Sequence, residues 1–328
     1  MKKIINNPND VVSQCLEGME LAHPELLYTP GLEVISRREK AGGKVGVISG
    51  GGSGHEPAHG GYVGKGMLSA AVAGNMFSSP SPDRIIEGIR QADAGAGVLM
   101  VIKNYSGDVM NFELAGEMAG MEDIKVAQVI VRDDVAVPDS TYSTGRRGIA
   151  GTVFVHKIAG AAAERGDSLE QVTAVAQKAC GNIRSMGMAM TPCTLPAVGK
   201  PGFELGENEI EVGMGIHGEP GVARTTVKTA QETAQVLLSK ILADYDFTGS
   251  PVALMVNGLG GTPLMELYIL NNEARQLLAE KGIKVYKTFV GNYMTSIEMA
   301  GCSLTLLKLD DELKTLLDAP CSAPAFKV

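Results

Sequence analysis

Short apolar runs that end in glycine alternate with longer stretches of helical periodicity along nearly the whole chain, and no other feature constrains the fold as much. The alternation is that of an α/β protein, in which strands pair into a sheet and helices cross over between them. Strands are expected at Lys44 to Ser49, Gly97 to Lys103, Val126 to Val131, Glu209 to Met214, Val252 to Asn257, Val285 to Val290 and Ser303 to Leu309. Helices are expected over 10–22, 82–93, 109–120, 148–164, 168–182, 225–244 and 262–281. Between Thr191 and Pro201 three prolines rule out a regular helix and put a domain boundary nearby. With 328 residues the chain is about two domains long, expected over 1–185 and 186–328.

Three glycine clusters follow predicted strands: Gly50-Gly51-Gly52-Ser53-Gly54, Gly213-Met214-Gly215-Ile216-His217-Gly218 and Gly258-Leu259-Gly260-Gly261. A strand end, a glycine turn and a helix start together form a common ligand site, because backbone N–H groups are free there and the helix dipole favours anions. The alternative for any one cluster is a tight turn that needs positive φ. Glycine totals 41 residues, about one in eight, with no G-X-Y period, which excludes a collagen-like chain.

The net charge of −8 comes without a run of five like charges, so nothing points to a nucleic-acid or membrane surface. Cys15, Cys180, Cys193, Cys302 and Cys321 are odd in number and far apart, which fits reduced thiols in a cytoplasmic protein. Asn6, Asn7 and Pro8 interrupt the start before an apolar signal segment can form, and no 18-residue apolar run follows. Neither export nor a membrane span is expected.

Two motifs match familiar patterns in letters only. Gly213-x-Gly215-x-x-Gly218 has dinucleotide-fingerprint spacing, but Glu219-Pro220-Gly221 follows where a crossover helix should open. His55-Glu56-Pro57-Ala58-His59 reads HExxH, yet Pro57 and the preceding glycines deny it the intact helical turn that a zinc hydrolase needs. No GxxxxGK[ST] and no VAIK, HRD and DFG set occur, so the chain shows no nucleotide pocket of its own.

His217, flanked by glycines, could be a nucleophile, a base or a ligand, or a turn histidine capping a carbonyl. His55 raises the same choice at the end of the first cluster, His59 reads as its structural partner, and His23 and His156 read as surface or helix-face residues. Asp108 precedes a predicted helix, where it is either the N-cap or a catalytic carboxylate. The run Ser185 to Met190 reads as core filling, and Arg146-Arg147 as either a phosphate contact or an exposed helix start.

Taken in order, Gly50 to Pro57, Lys103-Asn104-Tyr105-Ser106-Gly107-Asp108, Asp133 to Val137, Gly145-Arg146-Arg147-Gly148 and Gly215-Ile216-His217-Gly218-Glu219-Pro220 resemble the dihydroxyacetone kinases. The similarity is to their substrate-binding K subunit and continues through Asn257-Gly258-Leu259-Gly260 and Leu306 to Asp310. It implies two α/β domains, each with a largely parallel or mixed sheet flanked by helices, and an active site at their interface. It also implies that a ring nitrogen of His217 adds to the ketone carbon of dihydroxyacetone to give a hemiaminal, which glycerol, lacking a carbonyl, cannot form. Asp108 would be the base on the terminal hydroxyl and His55 the acid/base partner in adduct formation. Gly52, Ser79 and Lys103 would contact the substrate hydroxyls and product phosphate.

The family has two layouts, one fused to an ATP-binding L domain and one with K and L separate. In the separate form L-bound ADP is recharged from phosphoenolpyruvate through a phosphotransferase-system M subunit. With no segment resembling L, this chain is expected to be the separate K subunit, a homodimer that binds no cofactor itself and receives phosphate from Mg-nucleotide (ADP/ATP) on L. A related class, a coactivator of a transcription regulator, binds dihydroxyacetone through the same histidine without transfer and is the alternative.

Overall fold

The computed structural model of the protein describes residues 2–40, 42–138 and 145–328. Two compact units interleave along the chain, one from residues 2–131, 152–181 and 313–328 and the other from 132–151 and 182–312. The division is therefore not a single crossing at 185/186. Residues 132–151 belong with the second sheet, where Asp134 bridges to Ser185, and the C-terminal residues return to the first unit.

The first unit opens with α1 (Val11–Ala22), β1 (Leu26–Thr29), β2 (Val34–Arg37), β3 (Gly46–Ser53) and β4 (Ala70–Met76). It continues through α2 (Pro82–Ala92), β5 (Val98–Lys103), α3 (Ser106–Met121), β6 (Val126–Val131), α4 (Thr152–Arg165) and α5 (Leu169–Asn182). Six strands form a sheet in the order β1-β2-β4-β3-β5-β6, in which β4, β3, β5 and β6 are parallel and β1 and β2 are antiparallel additions. Pro82 starts α2 with a φ already suited to a helix, and its face of Ile85, Ile86, Ile89 and Ala92 packs on the sheet. Ile48, Val98, Met100 and Ile102 point to this same α2–α3 layer at every second strand position. Helix α4 meets β3 and β5 without joining that cluster, which puts it on the opposite face.

The second unit holds β7 (Ile183–Ala189), β8 (Glu209–Val212), β9 (Ala223–Thr226), α6 (Ala230–Asp244), β10 (Val252–Gly258), α7 (Leu264–Glu280), β11 (Val285–Gly291) and β12 (Gly301–Lys308). Its sheet order is β11-β10-β12-β7-β8-β9, with only β10 and β11 parallel. Both sheets are mixed, and the expected α/β class holds. Met186 and Met188 alternate along β7 into the core beneath α6 and α7, so the methionine run is core filling on a strand. Thr229 and Glu232 close a capping box at the start of α6. The predicted helix from 225 begins only there, because residues 223–226 pair as β9. A short helix α8 (Asp311–Asp318) and the two-residue strands β13 (Ser322–Ala323) and β14 (Phe326–Lys327) end the chain. Among the described residues no helix is long and apolar enough to cross a membrane.

Helix α4 approaches the first unit's backbone at Gly160, where a Cβ would lie 2.4 Å from the Met67 carbonyl oxygen. Gly160→Ala should destabilise the fold by about 1–3 kcal/mol through overpacking. Gly18→Ala, in an open position of α1, should stabilise it by about 0.5–1 kcal/mol. Urea midpoints at constant m-value check both, and equal shifts of the two variants would contradict the packing account.

Candidate active site

The candidate residues fall into two groups, one in each unit. In the first unit they collect at the C-terminal ends of the parallel strands β3 and β5, where α/β sheets present ligand sites. Gly50, Gly51 and Gly52 lie within β3 rather than in a turn after it, and each admits a different neighbour. A Cβ on Gly51 would sit 3.0 Å from Lys103 Nζ and 3.4 Å from Asp108 Oδ2. Lys103 ends β5, Asp108 stands in the first turn of α3, and both are buried. The helix starts three residues before the predicted 109, with Tyr105 at the N-cap position, so Asp108 is not the cap. As a first-turn residue it still has the favourable end of the helix dipole.

Gly52 and Gly54 give way to Phe77, whose backbone adopts the left-handed φ of 55° that bulky residues avoid. The ring of Phe77 then stacks on His55, with centroids 5.2 Å apart and planes 13° from parallel. His55 is fully buried. Ser79 Oγ lies 2.8 Å from where a Cβ on Gly107 would be, so its hydroxyl faces the start of α3 beside Asp108. The first unit thus brings Gly52, His55, Ser79, Lys103 and Asp108 to one sheet edge.

Residues 55–59 form turns and no helix, which removes the geometry an HExxH zinc site requires. No cluster of three or more metal-ligating side chains occurs among the described residues. His59 packs edge-on against His156, with centroids 5.2 Å apart. His156, expected at a surface or on a helix face, lies on α4 but is fully buried. Burial, and then the nearby Lys103 charge, pushes His156 down to about 3 and His59 well below the usual imidazole range. Both rings are neutral.

In the second unit His217 sits in the loop joining the antiparallel strands β8 and β9. The dinucleotide-fingerprint letters therefore do not open a βαβ crossover. The left-handed backbone at Gly218 (φ 84°) turns the loop back on itself, closed by a hydrogen bond that Gly218 N–H donates to the Gly215 carbonyl. Glu219 then reaches the histidine twice. Its Oε2 accepts the His217 backbone N–H at 2.9 Å, and its Oε1 lies 2.9 Å from Nδ1. A carboxylate opposite Nδ1 favours the tautomer with the proton there, in which Nε2 carries the lone pair. Burial opposes ionisation of Glu219, but the hydrogen bond and charge of His217, with the Arg147 guanidinium, outweigh it and hold the carboxyl at about 2.

Arg147 is fully buried and donates from Nε to Asp134 Oδ2 and from Nη2 to the Gly213 carbonyl, both at 2.8 Å. Arg146 pairs with Asp244. No helix starts at this pair, since α4 opens at Thr152, and carboxylates of the same unit take up both guanidinium groups. The third glycine cluster serves packing: a Cβ on Gly258 would collide with Asn292 Oδ1 at 2.3 Å and one on Gly260 with the Ile297 carbonyl at 2.0 Å. Sequence reasoning assigned no role to Glu219, although a carboxylate two positions after a histidine in a glycine-rich loop was the available signal.

The Dak1 domain model matches residues 17–325. The chain belongs to the Dak1 family. It is 55% identical over 314 residues, 95% of each chain, to the PTS-dependent dihydroxyacetone kinase 1 dihydroxyacetone-binding subunit DhaK of Listeria innocua. Among solved structures, the dihydroxyacetone kinase of C. freundii superposes with a TM-score of 0.92 at 36% identity, over 99% of this chain and 60% of that one. The dihydroxyacetone kinase operon co-activator Dha-DhaQ superposes with a TM-score of 0.91 at 38% identity, over 95% of this chain and 97% of that one.

Because Glu219 is held below the ordinary carboxyl value of 4.5, its ionisation stabilises the fold above that pH, and the contribution drains away as pH falls toward 2. Replacing it with Gln removes this titration. The stability gap between wild type and Glu219→Gln should narrow by about 1 kcal/mol between pH 6 and pH 3.5. Urea denaturation at the two pH values measures it, and an unchanged gap would remove Glu219 as an ionised partner of His217.

Proposed function

We propose that this Dak1 protein is the dihydroxyacetone-binding subunit of a cytoplasmic dihydroxyacetone kinase. The observation that carries the proposal is the His217–Glu219 pair, a histidine whose Nδ1 is taken by a buried carboxylate. With the proton on Nδ1, its Nε2 is a nucleophile suited to a ketone carbon. Addition forms an Nε2–C bond and moves the carbonyl π electrons to oxygen, which takes a proton from His55 acting as acid. Glu219 offsets the positive charge that develops on the ring. Fixing a triose covalently orients it in a way that a few exchanging hydrogen bonds could not.

Asp108 then takes the proton of the terminal hydroxyl as that oxygen attacks the phosphoryl group of a Mg-nucleotide held by a partner L subunit, giving dihydroxyacetone phosphate. Lys103 supplies positive charge beside Asp108, and Gly52 and Ser79 offer a backbone N–H and a hydroxyl at the same sheet edge. The name of the Listeria relative, a PTS-dependent kinase subunit, supports an L partner recharged through a phosphotransferase-system M subunit. The co-activator neighbour supports a second reading, ligand sensing without transfer. The kinase reading has the stronger support, with 55% identity to a kinase subunit against 38% to the co-activator.

A coupled assay for dihydroxyacetone phosphate, with and without an L subunit carrying ADP and a phosphoryl source, separates the two. Turnover is expected only with L, and its absence with a competent cognate partner would sink the enzyme reading. In mass spectrometry His217→Ala should lose the dihydroxyacetone adduct, and undiminished adduct would refute the nucleophile assignment. Asp108→Asn should keep the adduct while turnover falls by at least about 10²-fold. Near-wild-type turnover would remove Asp108 as the base.

A further inference from the structure

The buried Arg147 has no part in the transfer chemistry outlined above, yet it stands behind Glu219. We infer that Arg147, held by Asp134, is a positioning residue that acts through Glu219 to fix the proton of His217 on Nδ1. The inference deepens the reading of His217 as the nucleophile and rests on it.

Gly215 supplies the geometry. A Cβ there would lie 2.1 Å from Glu219 Oε2 and 2.7 Å from Arg147 Nη1, so carboxylate and guanidinium crowd the one point this glycine leaves empty. Arg147 cannot drift from it. Nε is bound to Asp134, Nη2 to the Gly213 carbonyl two residues before Gly215, and the Arg147 carbonyl accepts the Asp134 N–H at 3.1 Å. Asp134 is itself fixed, since its Oδ1 accepts the Ala136 N–H at 2.9 Å. Arg147 acts on Glu219 by its charge across the space at Gly215, with no hydrogen bond from Nη1 to the carboxylate, and the group lies within one unit and away from bulk solvent: Asp134, Arg147 and Glu219 are 1%, 0% and 3% exposed.

The chemical reason is the second form open to Glu219. A buried carboxyl group without a compensating charge tends to take up a proton. Protonated, Glu219 would donate to Nδ1, the ring proton would move to Nε2, and the lone pair needed for addition would be gone. A guanidinium stays charged at every working pH, so Arg147 removes this alternative permanently. Lysine would supply the charge but not the planar fork that binds Asp134 and the Gly213 carbonyl together.

The test reads the His217 tautomer directly, by ¹⁵N NMR of the ligand-free full-length protein, so it does not depend on adduct formation. Removing Arg147 alone leaves Asp134 buried and unpaired, so the variant of choice is the double replacement Asp134→Asn, Arg147→Met, which removes both charges of the pair. Amide spectra confirm its fold. We expect wild type to hold the proton on Nδ1 and the double variant to shift it toward Nε2. Adduct occupancy at fixed dihydroxyacetone should fall at least about tenfold, as when a supporting carboxylate loses control of a catalytic imidazole. Arg147→Lys should recover part of the loss. Adding Glu219→Gln to the double variant should change the tautomer no further, because both act by one route, whereas a merely structural role would give additive losses. A folded double variant that keeps the wild-type tautomer would overturn the inference. Failure of wild type to form an adduct, with the tautomer still coupled to Arg147, would instead overturn the nucleophile reading alone.

Discussion

The arrangement of both functional groups depends on carbon atoms that are absent. At Gly51 the missing Cβ makes room for Lys103 Nζ and Asp108 Oδ2, and at Gly215 it makes room for Glu219 Oε2 and Arg147 Nη1. In each case an alanine would put a methyl group where two charged side chains meet over the backbone. Real Cβ atoms essentially never come within 3.0 Å of another heavy atom, and at Gly215 the approach is 2.1 Å. The glycine richness of the chain is thus largely a matter of close approach. At Gly50, Gly51 and Gly52 the chain still pairs in parallel with β4, with pairing to β5 ended at Ser49, and side chains from β5 and α3 come down onto it.

Burying Lys103, Asp108, Asp134, Arg147 and Glu219 is costly, and such pairs rarely add net stability compared with well-packed apolar residues. Their value lies in position. Asp134 is pushed up to about 6 by burial, against the Arg147 charge, and remains mostly ionised at neutral pH. Asp133 beside it is raised by burial too, yet accepts the amides of Ile149 and Gly151, which ties the turn before α4 to the same segment. The second unit therefore holds Arg147 from two sides with groups that cannot rotate away. The His217 loop, by contrast, has glycine on either side and would have little to define it without Glu219.

Much of this was legible in the sequence. The seven predicted strands and seven predicted helices all occur, because long apolar periodicity survives tertiary context. Besides the two-residue β13 and β14, the strands that escaped are of two kinds. β1, β2 and β9 are four residues long, too short for a pattern, while β4 and β7 are rich in Ala, Gly and Met, which carry little strand preference of their own. Asp108 was legible as a site candidate, but its role as a cap failed because Ser106 and Gly107 already belong to the helix. The burial of Arg147 and His156 was not legible, since charge and polarity ordinarily signal surface, and their partners Asp134 and His59 lie far enough along the chain to hide the pairing.

The placement of the candidate residues in both units bears on how one fold can serve both a kinase and a co-activator, two neighbours that share 36% and 38% identity with this chain. Capture of a ketone, on the reading proposed, needs the His217 loop and its support in the second unit, with His55 of the first unit as the acid. Transfer needs a base and a cation at the phosphate, and those candidates, Asp108 and Lys103, stand at a strand end and a helix start of the first. On that reading the nucleophile and the transfer groups rest on separate, buried local networks. On the same reading a change at Asp108 or Lys103, with His55 kept, can abolish transfer and leave covalent recognition intact, so substrate specificity and catalytic competence are free to vary independently.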